Sequence, residues 1–368
     1  MTSEEEKRAS RRNFLRGRIV SPETDSESDH PSSGLAEGRP SSGAYLIQLS
    51  RRAMACQFEV YLNASGPGTE AEAAVEGLDL IDQLEQQLSA YRSDSEICRL
   101  EATAHRDPVK VEPRLFQLLE LSLTLYHDTG GAFDITAGPL SKVWGFFDRE
   151  GKVPPEAELA AAMQRVGSDQ IVLDPDKQTL FLTRAGGELN LGSIGKGYAL
   201  DRCREVMFDR GVDNFLIHGG TSSVLASGSR DDSPEDLGWE VGVPHPLRPD
   251  RRLGTVYLKD EALGTSGAAF QAFFHQGKRY GHVLDPRTGH PSTRVLSSTV
   301  IAPTAALADA LATACYVMGP EETEAFLEKY PKVSVLLVVE GKRRGAVETI
   351  LLGGMDQRLV VAQGNSAD

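Results

Sequence analysis

The chain has 368 residues, 40% of them apolar, which is enough for one large hydrophobic core or two moderate ones. Its formal net charge is −14, and no run of Lys or Arg is interleaved with aromatic residues, which argues against a nucleic-acid partner. The sequence contains no run of about 20 apolar residues, which is the length that a transmembrane helix needs. The four cysteines form no Cys-x-x-Cys pair, which argues against a zinc ribbon and a disulfide framework.

The N-terminal 42 residues differ in composition from the rest. Residues 10–17, SRRNFLRG, look like a twin-arginine export motif, but such a signal needs an apolar stretch directly after it, and polar and acidic residues follow here. We therefore favour a cytoplasmic location, with twin-arginine export to the periplasm as the alternative. The Ser, Pro, Glu, Asp and Gly content of residues 21–43 predicts a disordered tail over 1–42 and one folded domain over 43–368.

The first half of this domain predicts a strand region followed by helices. Residues 44–62 alternate apolar and polar side chains, which is typical of one strand or a hairpin. Residues 69–91 predict a helix with one apolar stripe, formed by Ala74, Leu78, Ile81, Leu84 and Leu88. A second helix is predicted over 112–131, ending at its two glycines, and a short third helix over about 155–166.

The second half predicts mainly strands. Residues 170–183 indicate a hairpin around an Asp-Pro-Asp-Lys turn, and residues 273–285 indicate another that turns at Gln276–Gly277. Further strands are predicted within 214–228, 237–246, 333–340 and 346–354. A long helix is predicted over 304–318, with another helix after Pro320. Because hairpins outnumber crossovers, we expect an α+β fold with largely antiparallel sheets flanked by helices.

Residues 189–201, LNLGSIGKGYALD, form a glycine-rich stretch that leads from a strand-like segment into a helix. It is not a Walker A loop, because only two residues separate Gly192 from Gly195 and Gly197 follows Lys196. It does not match the dinucleotide-binding fingerprint either. Such a turn can direct backbone N–H groups and a helix N-terminus at an anion, and an ordinary tight turn is the alternative.

Asp309 and Thr313 lie four residues apart in a helix that is otherwise almost entirely apolar. They therefore share one helix face, and a buried carboxylate there needs a partner. A carboxylate and a hydroxyl one turn apart offer two hard oxygens, which suits Mg²⁺. The alternative is an exposed Asp309 and a Thr313 that bonds back to the helix backbone.

Two further residues have both a structural and a functional interpretation. His282 would share a strand face with Tyr280 and Leu284, where a histidine is more often structural than catalytic. Phe133, in the helix-breaking segment GGAFD, could stack on a planar ring or pack in the core.

Taken in order, seven stretches between residues 45 and 340 make the chain resemble the ApbE family, the FAD:protein FMN transferases. The stretches that carry the resemblance are MACQFEVYL, LSAYRSDSEICRL, GAFDITAGPLSKVWGF, LNLGSIGKGYALD, ALGTSG, YGHVLDPRTGHP and LADALATACYVMG. The resemblance implies an ApbE-like domain that binds FAD and Mg²⁺. It also implies transfer of FMN to a Ser or Thr hydroxyl of a target flavoprotein, with release of AMP.

The resemblance also implies roles for particular residues. His282 would assist proton transfer from the acceptor hydroxyl. The metal would be held by the backbone carbonyl of Ser193 and by the side chains of Asp309 and Thr313. Contacts to FAD are implied for Met54, Tyr91, Ala132, Phe133, Asp134, Asn190, Lys196 and Val283. An alcohol that attacks a phosphoryl centre needs a base, a metal and donors for the developing charge, and these groups can supply all three.

The chain departs from the family pattern at three positions. Asn190 stands where the family usually has Asp, Thr221 where it often has Asp, and Ala268 where it usually has Asp or Asn. Three hypotheses follow: a Mg²⁺-dependent FMN transferase, an FAD pyrophosphatase that yields FMN and AMP, and a flavin-binding paralogue without transfer activity. Intact His282, Asp309 and Thr313 favour the first hypothesis, whereas Ala268 and Thr221 favour the last.

Overall fold

The computed structural model of the protein describes residues 18–20, 46–64, 68–267, 271–343 and 345–362. Residues 10–17 and Ala268 lie outside the described residues, so the export motif and the effect of Ala268 stay predictions. Arg18–Val20 forms a short strand, β1, which pairs antiparallel with residues 46–48. The disorder predicted for residues 1–42 stays a prediction.

Seven helices are present in the described part of the chain. Their bounds are α1 Glu70–Leu88, α2 Glu96–Thr103, α3 Pro113–Asp128, α4 Gly138–Val143, α5 Glu156–Met163, α6 Gly195–Asp209 and α7 Ala305–Leu327. Helix α7 is broken at Gly319, whose φ is 75° and which precedes Pro320. The two helices predicted around Pro320 are therefore confirmed.

The described residues also contain sixteen strands after β1. The first eight are β2 Leu46–Ala53, β3 Cys56–Asn63, β4 Val109–Lys110, β5 Ile171–Asp174, β6 Thr179–Leu182, β7 Phe215–Gly219, β8 Ser223–Ser227 and β9 Trp239–His245. The others are β10 Arg248–Leu258, β11 Glu261–Gly267, β12 Ala272–His275, β13 Lys278–Gly281, β14 Ser297–Ala302, β15 Ser334–Glu340, β16 Val347–Leu352 and β17 Val360–Val361.

The strands form one large sheet and three small ones, and the paired strands all run antiparallel. The nine-stranded sheet has the order β1-β2-β3-β7-β8-β11-β14-β15-β16. The small sheets are β17-β10-β9, β12-β13 and β4-β6-β5. The predicted α+β class with antiparallel sheets and flanking helices is thus confirmed.

The large sheet is covered on both faces, and strand β8 shows this directly. Leu225 belongs to the main core together with residues of α1, α6 and α7. Its neighbours Val224 and Ala226 pack instead with Trp239 and Val256 of the small β17-β10-β9 sheet. Because successive side chains point to opposite faces of a strand, burial on both sides accounts for the apolar run of three residues at the centre of β8.

Most predicted elements are present, and the missed ones include two short helices and three strands of ordinary length. The stripe predicted on α1 is buried, and the hairpins β2-β3, β5-β6 and β12-β13 form as expected. Helices α2 and α4 were not predicted, because they span only eight and six residues and give little periodicity. Strands β10, β11 and β14 were also missed.

Candidate active site

The glycine-rich stretch forms a turn that ends in the first residue of α6. Asn190 forms hydrogen bonds through its backbone and its side chain. Its backbone N–H donates to the carbonyl of Ile135 at 2.6 Å, and its Oδ1 accepts from Gly192 N–H at 2.9 Å. The carbonyl of Leu191 then accepts the N–H of Gly195 at 2.7 Å, which starts the helix. Ser193 lies half-buried within this turn, and Lys196 occupies the first turn of α6.

Two glycines allow other elements to approach α7 closely. A Cβ on Gly197 would lie 2.7 Å from the backbone nitrogen of Ala306 and closer still to the carbonyl of Ala305. A Cβ on Gly264 of β11 would lie 2.7 Å from the backbone nitrogen of Asp309. Gly197 therefore serves the packing of α6 on α7, a role that the sequence pattern did not reveal.

Asp309 is buried, with 7% of its surface exposed, which rules out the exposed alternative. Its Oδ2 accepts the N–H of Gly197 at 2.8 Å and the hydroxyl of Ser223 at 2.8 Å. Burial raises the pKa of this carboxyl to about 6, while the positive charge of Lys196 and the two hydrogen bonds act in the opposite direction. One N–H group of the glycine-rich turn is thus already engaged by a carboxylate.

Two serines that sequence reasoning missed connect Lys196 to Asp309. The ammonium group of Lys196 donates to Ser222 Oγ at 2.7 Å, and Ser222 Oγ lies 3.4 Å from Ser223 Oγ. Ser223 then donates to Asp309, so a polar chain runs from the cation to the carboxylate. The signal for these residues was the polar run Thr221-Ser222-Ser223 between two apolar strands, which the sequence analysis did not assign to the site.

Thr313 lies one turn after Asp309, as predicted, and its hydroxyl has two neighbours. Its Oγ1 lies 3.0 Å from Ser266 Oγ and 3.4 Å from the carbonyl of Asp309. The second contact is the bond back to the helix that the sequence left open as an alternative. The hydroxyl of Ser266 brings one more hard oxygen, from the end of β11, to this helix face.

The described residues fit a cation that takes few protein ligands. No group of three or more His, Cys, Asp or Glu side chains converges anywhere in the described ranges, which does not fit a closed structural zinc or calcium site. One carboxylate with neighbouring hydroxyls suits Mg²⁺, which commonly binds one or two carboxylates and takes further oxygens from substrate phosphates and water. Among these residues, both donors to Asp309 bind Oδ2, so Oδ1 is left for a cation.

His282 follows β13 and is held by the segment before β12. Its backbone N–H donates to the carbonyl of Gln271 at 3.1 Å, and its Nδ1 lies 3.1 Å from the same oxygen. Because a carbonyl oxygen only accepts, Nδ1 carries a proton and Nε2 keeps its lone pair. Burial and the nearby charge of Lys196 lower the pKa of His282 below 6.5. The ring is therefore neutral at neutral pH.

Met54 lies in the two-residue turn that joins β2 to β3. Met54 and Ala55 have φ angles of 48° and 59°, a conformation that non-glycine residues seldom adopt. The next residue, Cys56, is half-buried and lies within reach of the charges of Lys196 and Asp309. A two-residue hairpin turn of type I′ requires positive φ at both positions, so this conformation belongs to the turn, and the role of Met54 in FAD binding stays a prediction.

The segment 132–134 is more deeply buried than expected. Phe133 is 1% exposed and belongs to the main core, as does Ala132. Core packing, the alternative stated for Phe133, is what the structure shows, and its ring offers no free face for stacking on a flavin. Asp134 is also buried, and its Oδ1 accepts from the hydroxyls of Thr136 at 2.7 Å and Ser168 at 2.6 Å. Together with the N–H of Thr136 at 2.7 Å, these donors all bind Oδ1 of that carboxylate.

The last two predicted contacts differ in their exposure. Tyr91 is 68% exposed and stacks on Phe147 with ring centroids 4.3 Å apart, so its outer face is open to a planar ligand. Val283 is 8% exposed, next to His282. Of the departures from the family pattern, Thr221 is exposed in the turn before Ser222. The roles of all these residues in FAD binding stay predictions.

Comparison with known proteins decides the family. The family model described as "ApbE family" matches residues 54–337, a range that includes Met54, the glycine-rich turn, His282 and α7 up to Leu327. The chain belongs to the ApbE family. The match also spans every element that contributes to the polar chain described above.

Relatives within the ApbE family agree in name and in fold. The chain is 35% identical over 302 residues to the FAD:protein FMN transferase of Treponema pallidum, covering 78% of this chain and 82% of that protein. It is 30% identical to the FAD:protein FMN transferase of Escherichia coli K12, covering 76% and 82%. The ApbE protein of Thermotoga maritima superimposes with a TM-score of 0.74 at 28% identity, covering 85% of this chain and 99% of that one. The flavin transferase ApbE of Vibrio cholerae gives 0.74 at 26% identity, covering 86% and 100%.

None of the helices in the described part of the chain is long and apolar enough to cross a membrane.

Proposed function

We propose that the protein is a Mg²⁺-dependent FAD:protein FMN transferase, which moves FMN from FAD to a Ser or Thr hydroxyl of a target flavoprotein and releases AMP. The observation that carries the proposal is the polar chain at the start of α6, which runs from Lys196 through two serines to the buried Asp309. Lys196 lies within electrostatic reach of both Asp309 and His282. The names of the relatives support the same reaction.

The start of α6 provides the positive potential that a diphosphate needs on a protein of net charge −14. The ammonium group of Lys196 adds to the partial positive charge of the helix N-terminus. Ser222 binds this ammonium group at 2.7 Å and so fixes its direction. A diphosphate bound there would lie between the ammonium group of Lys196 and the carboxylate of Asp309 on α7.

The metal role falls to Asp309, with Thr313 and the Ser193 carbonyl as further oxygens. Above about pH 6 the Asp309 carboxyl is ionised even without a cation, so it is ready to bind one at neutral pH. Mg²⁺ bound at this position would reduce the negative charge on the diphosphate oxygens. Asp309 also needs its Oδ2 contacts to Gly197 and Ser223, which hold the carboxylate in one orientation.

The base role falls to His282. The acceptor hydroxyl attacks the phosphorus of the FMN half of FAD, and its proton passes to the free Nε2 of the imidazole. A new P–O bond forms to the acceptor, the P–O bond to the AMP half breaks, and AMP leaves with the electron pair. The contact of Nδ1 with Gln271 keeps the ring in the tautomer that this step requires.

The proposal is tested by incubating the protein with FAD, Mg²⁺ and an acceptor flavoprotein, and by counting AMP released and flavin bound covalently. We expect one AMP for each covalent flavin. AMP without covalent flavin would show an FAD pyrophosphatase instead, and neither product would show a binding protein without transfer activity. Either result would refute the transferase proposal.

Two variants separate the metal role from the base role. Asp309→Asn should weaken Mg²⁺ binding and reduce transfer to background, with partial rescue at most by excess Mg²⁺. His282→Gln should leave Mg²⁺ and FAD binding nearly intact but reduce the rate by about 10²–10⁴-fold, the usual contribution of a general base. His290→Gln is the matched control, because His290 lies in the same segment but is exposed. Metal-dependent activity that is unchanged in Asp309→Asn would reject the site.

A further inference from the structure

Helices α6 and α7 each supply a carboxylate to the N-terminus of the other. Asp309 of α7 accepts the N–H of Gly197 in the first turn of α6 at 2.8 Å. Asp201 of α6 accepts the N–H of Ala305 on Oδ1 and the N–H of Ala306 on Oδ2, both at 2.9 Å. The first turns of the two helices therefore lie in close contact, and Gly197 meets Ala305 and Ala306 directly.

The N-termini of the two helices differ in whether a neighbouring residue of the same helix end caps them. Helix α7 has its own N-cap, Thr304, whose side chain accepts from Leu307 N–H at 3.3 Å, so Asp201 completes an end that is already capped. Helix α6 begins after Ile194, which has no capping side chain, so Asp309 takes the place of its cap. A carboxylate at a helix N-terminus is stabilised by the N–H groups there and by the helix dipole.

Asp201 has no part in the chemistry described above, yet its side chain is only 14% exposed. Burial raises the pKa of its carboxyl, which is a cost that its contacts with α7 and the more distant Arg204, at 3.7 Å, must offset. The negative charge of Asp201 also raises the pKa of Asp309, because the two carboxylates repel each other. The charges of Asp201 and Asp309 therefore do not by themselves explain why Asp201 is buried near Asp309.

We propose that Asp201 is a positioning residue of the active site: by holding the first turn of α7 on α6, it sets where the Asp309 carboxylate stands relative to Gly197 and to a bound cation. The inference rests on the proposed function, because it takes Asp309 to be the metal ligand. Gly197 makes the arrangement possible, since a side chain there would push the first turn of α7 away.

The test uses two substitutions at Asp201 and one matched control. Asp201→Asn keeps the shape but leaves one acceptor oxygen for two N–H groups, whereas Asp201→Ala removes both. The control is Glu112→Ala, because the Glu112 carboxylate also accepts two N–H groups, those of Arg114 and Leu115 at the start of α3. It removes the same kind of cap without touching α6 or α7 backbone.

The readouts are Mn²⁺ affinity by electron paramagnetic resonance and hydrogen exchange of the Gly197 amide without metal. We expect Asp201→Asn to raise the Mn²⁺ dissociation constant about 10-fold and Asp201→Ala up to about 100-fold, the usual range for residues that support a metal ligand. Exchange of Gly197 N–H should quicken in the same order. The Glu112→Ala control should change neither quantity, although it removes a helix cap of similar strength.

Three outcomes would overturn parts of this account. Unchanged Gly197 exchange and Mn²⁺ affinity in a folded Asp201→Asn and Asp201→Ala would overturn the positioning role alone. Equal losses in Glu112→Ala would show a general effect of stability and overturn it as well. Absence of Mn²⁺ binding by the unsubstituted protein would refute the metal role in the proposed function. Faster Gly197 exchange in the Asp201 variants would then still show that Asp201 positions Asp309.

Discussion

Gly195 and Gly197 lie two residues apart in the first turn of α6, and we predict that alanine has opposite effects on stability at these positions. A Cβ on Gly195 would meet Leu191 and Leu88 at 3.9 Å, which is ordinary contact. A Cβ on Gly197 would stand 2.7 Å from Ala306 N, and nearer to the Ala305 carbonyl. Ordinary contact requires roughly 3.5 Å, so the first turn of α7 would have to move by more than about 1 Å.

The magnitude follows from what this shift would break. Overpacking of a tight contact costs about 1–3 kcal/mol. The hydrogen bonds that cross the same contact, from Gly197 to Asp309 and from the start of α7 to Asp201, contribute about 1 kcal/mol each. Because alanine also gains about 1 kcal/mol over glycine within a helix, Gly197→Ala should lower the free energy of unfolding by about 3–5 kcal/mol. Gly195→Ala should raise it by about 0.5 kcal/mol, because alanine restricts the unfolded chain.

Urea unfolding measures both effects. Trp144 and Trp239 are buried, at 1% and 3% exposure, and both report unfolding by their fluorescence. The expected result is a lower midpoint for Gly197→Ala and an equal or higher one for Gly195→Ala. If both variants lost the same stability, or if Gly197→Ala lost none, the close approach of the two helices would not be what requires glycine at this position.

Two further predictions concern charges around Lys196. With saturating Mg²⁺, the midpoint of the acid limb of the transfer rate should lie below pH 6.5, because burial and the charge of Lys196 lower the pKa of His282 and the neutral ring is the active base; a midpoint above pH 6.5 in the rate profile would contradict this. Lys196→Met should slow alkylation of Cys56 at pH 8 by roughly threefold, because Lys196 lowers the pKa of that thiol against the effect of burial. Peptide mass spectrometry would follow both half-buried thiols, with Cys98 as the internal reference that should not change.

The sequence by itself determined the elements and the spacing of several site residues. The stripe on α1 and the Gln276–Gly277 turn follow from the steric preferences of a few neighbouring residues, so local pattern was enough to predict them. The one-turn separation of Asp309 and Thr313 is likewise a property of one helix. The order of the motifs also indicated the family before any contact was known.

Only the tertiary structure decided what those residues contact. Gly197 and Asp309 are 112 positions apart, and Ser223 and Asp309 are 86 apart. Whether such groups meet depends on how helices and strands pack, which no local period encodes. This is why the serines and Asp201 were missed, and why Phe133 could not be assigned between flavin stacking and core packing. Burial, which sets the pKa of Asp309 and His282, is decided by the same packing.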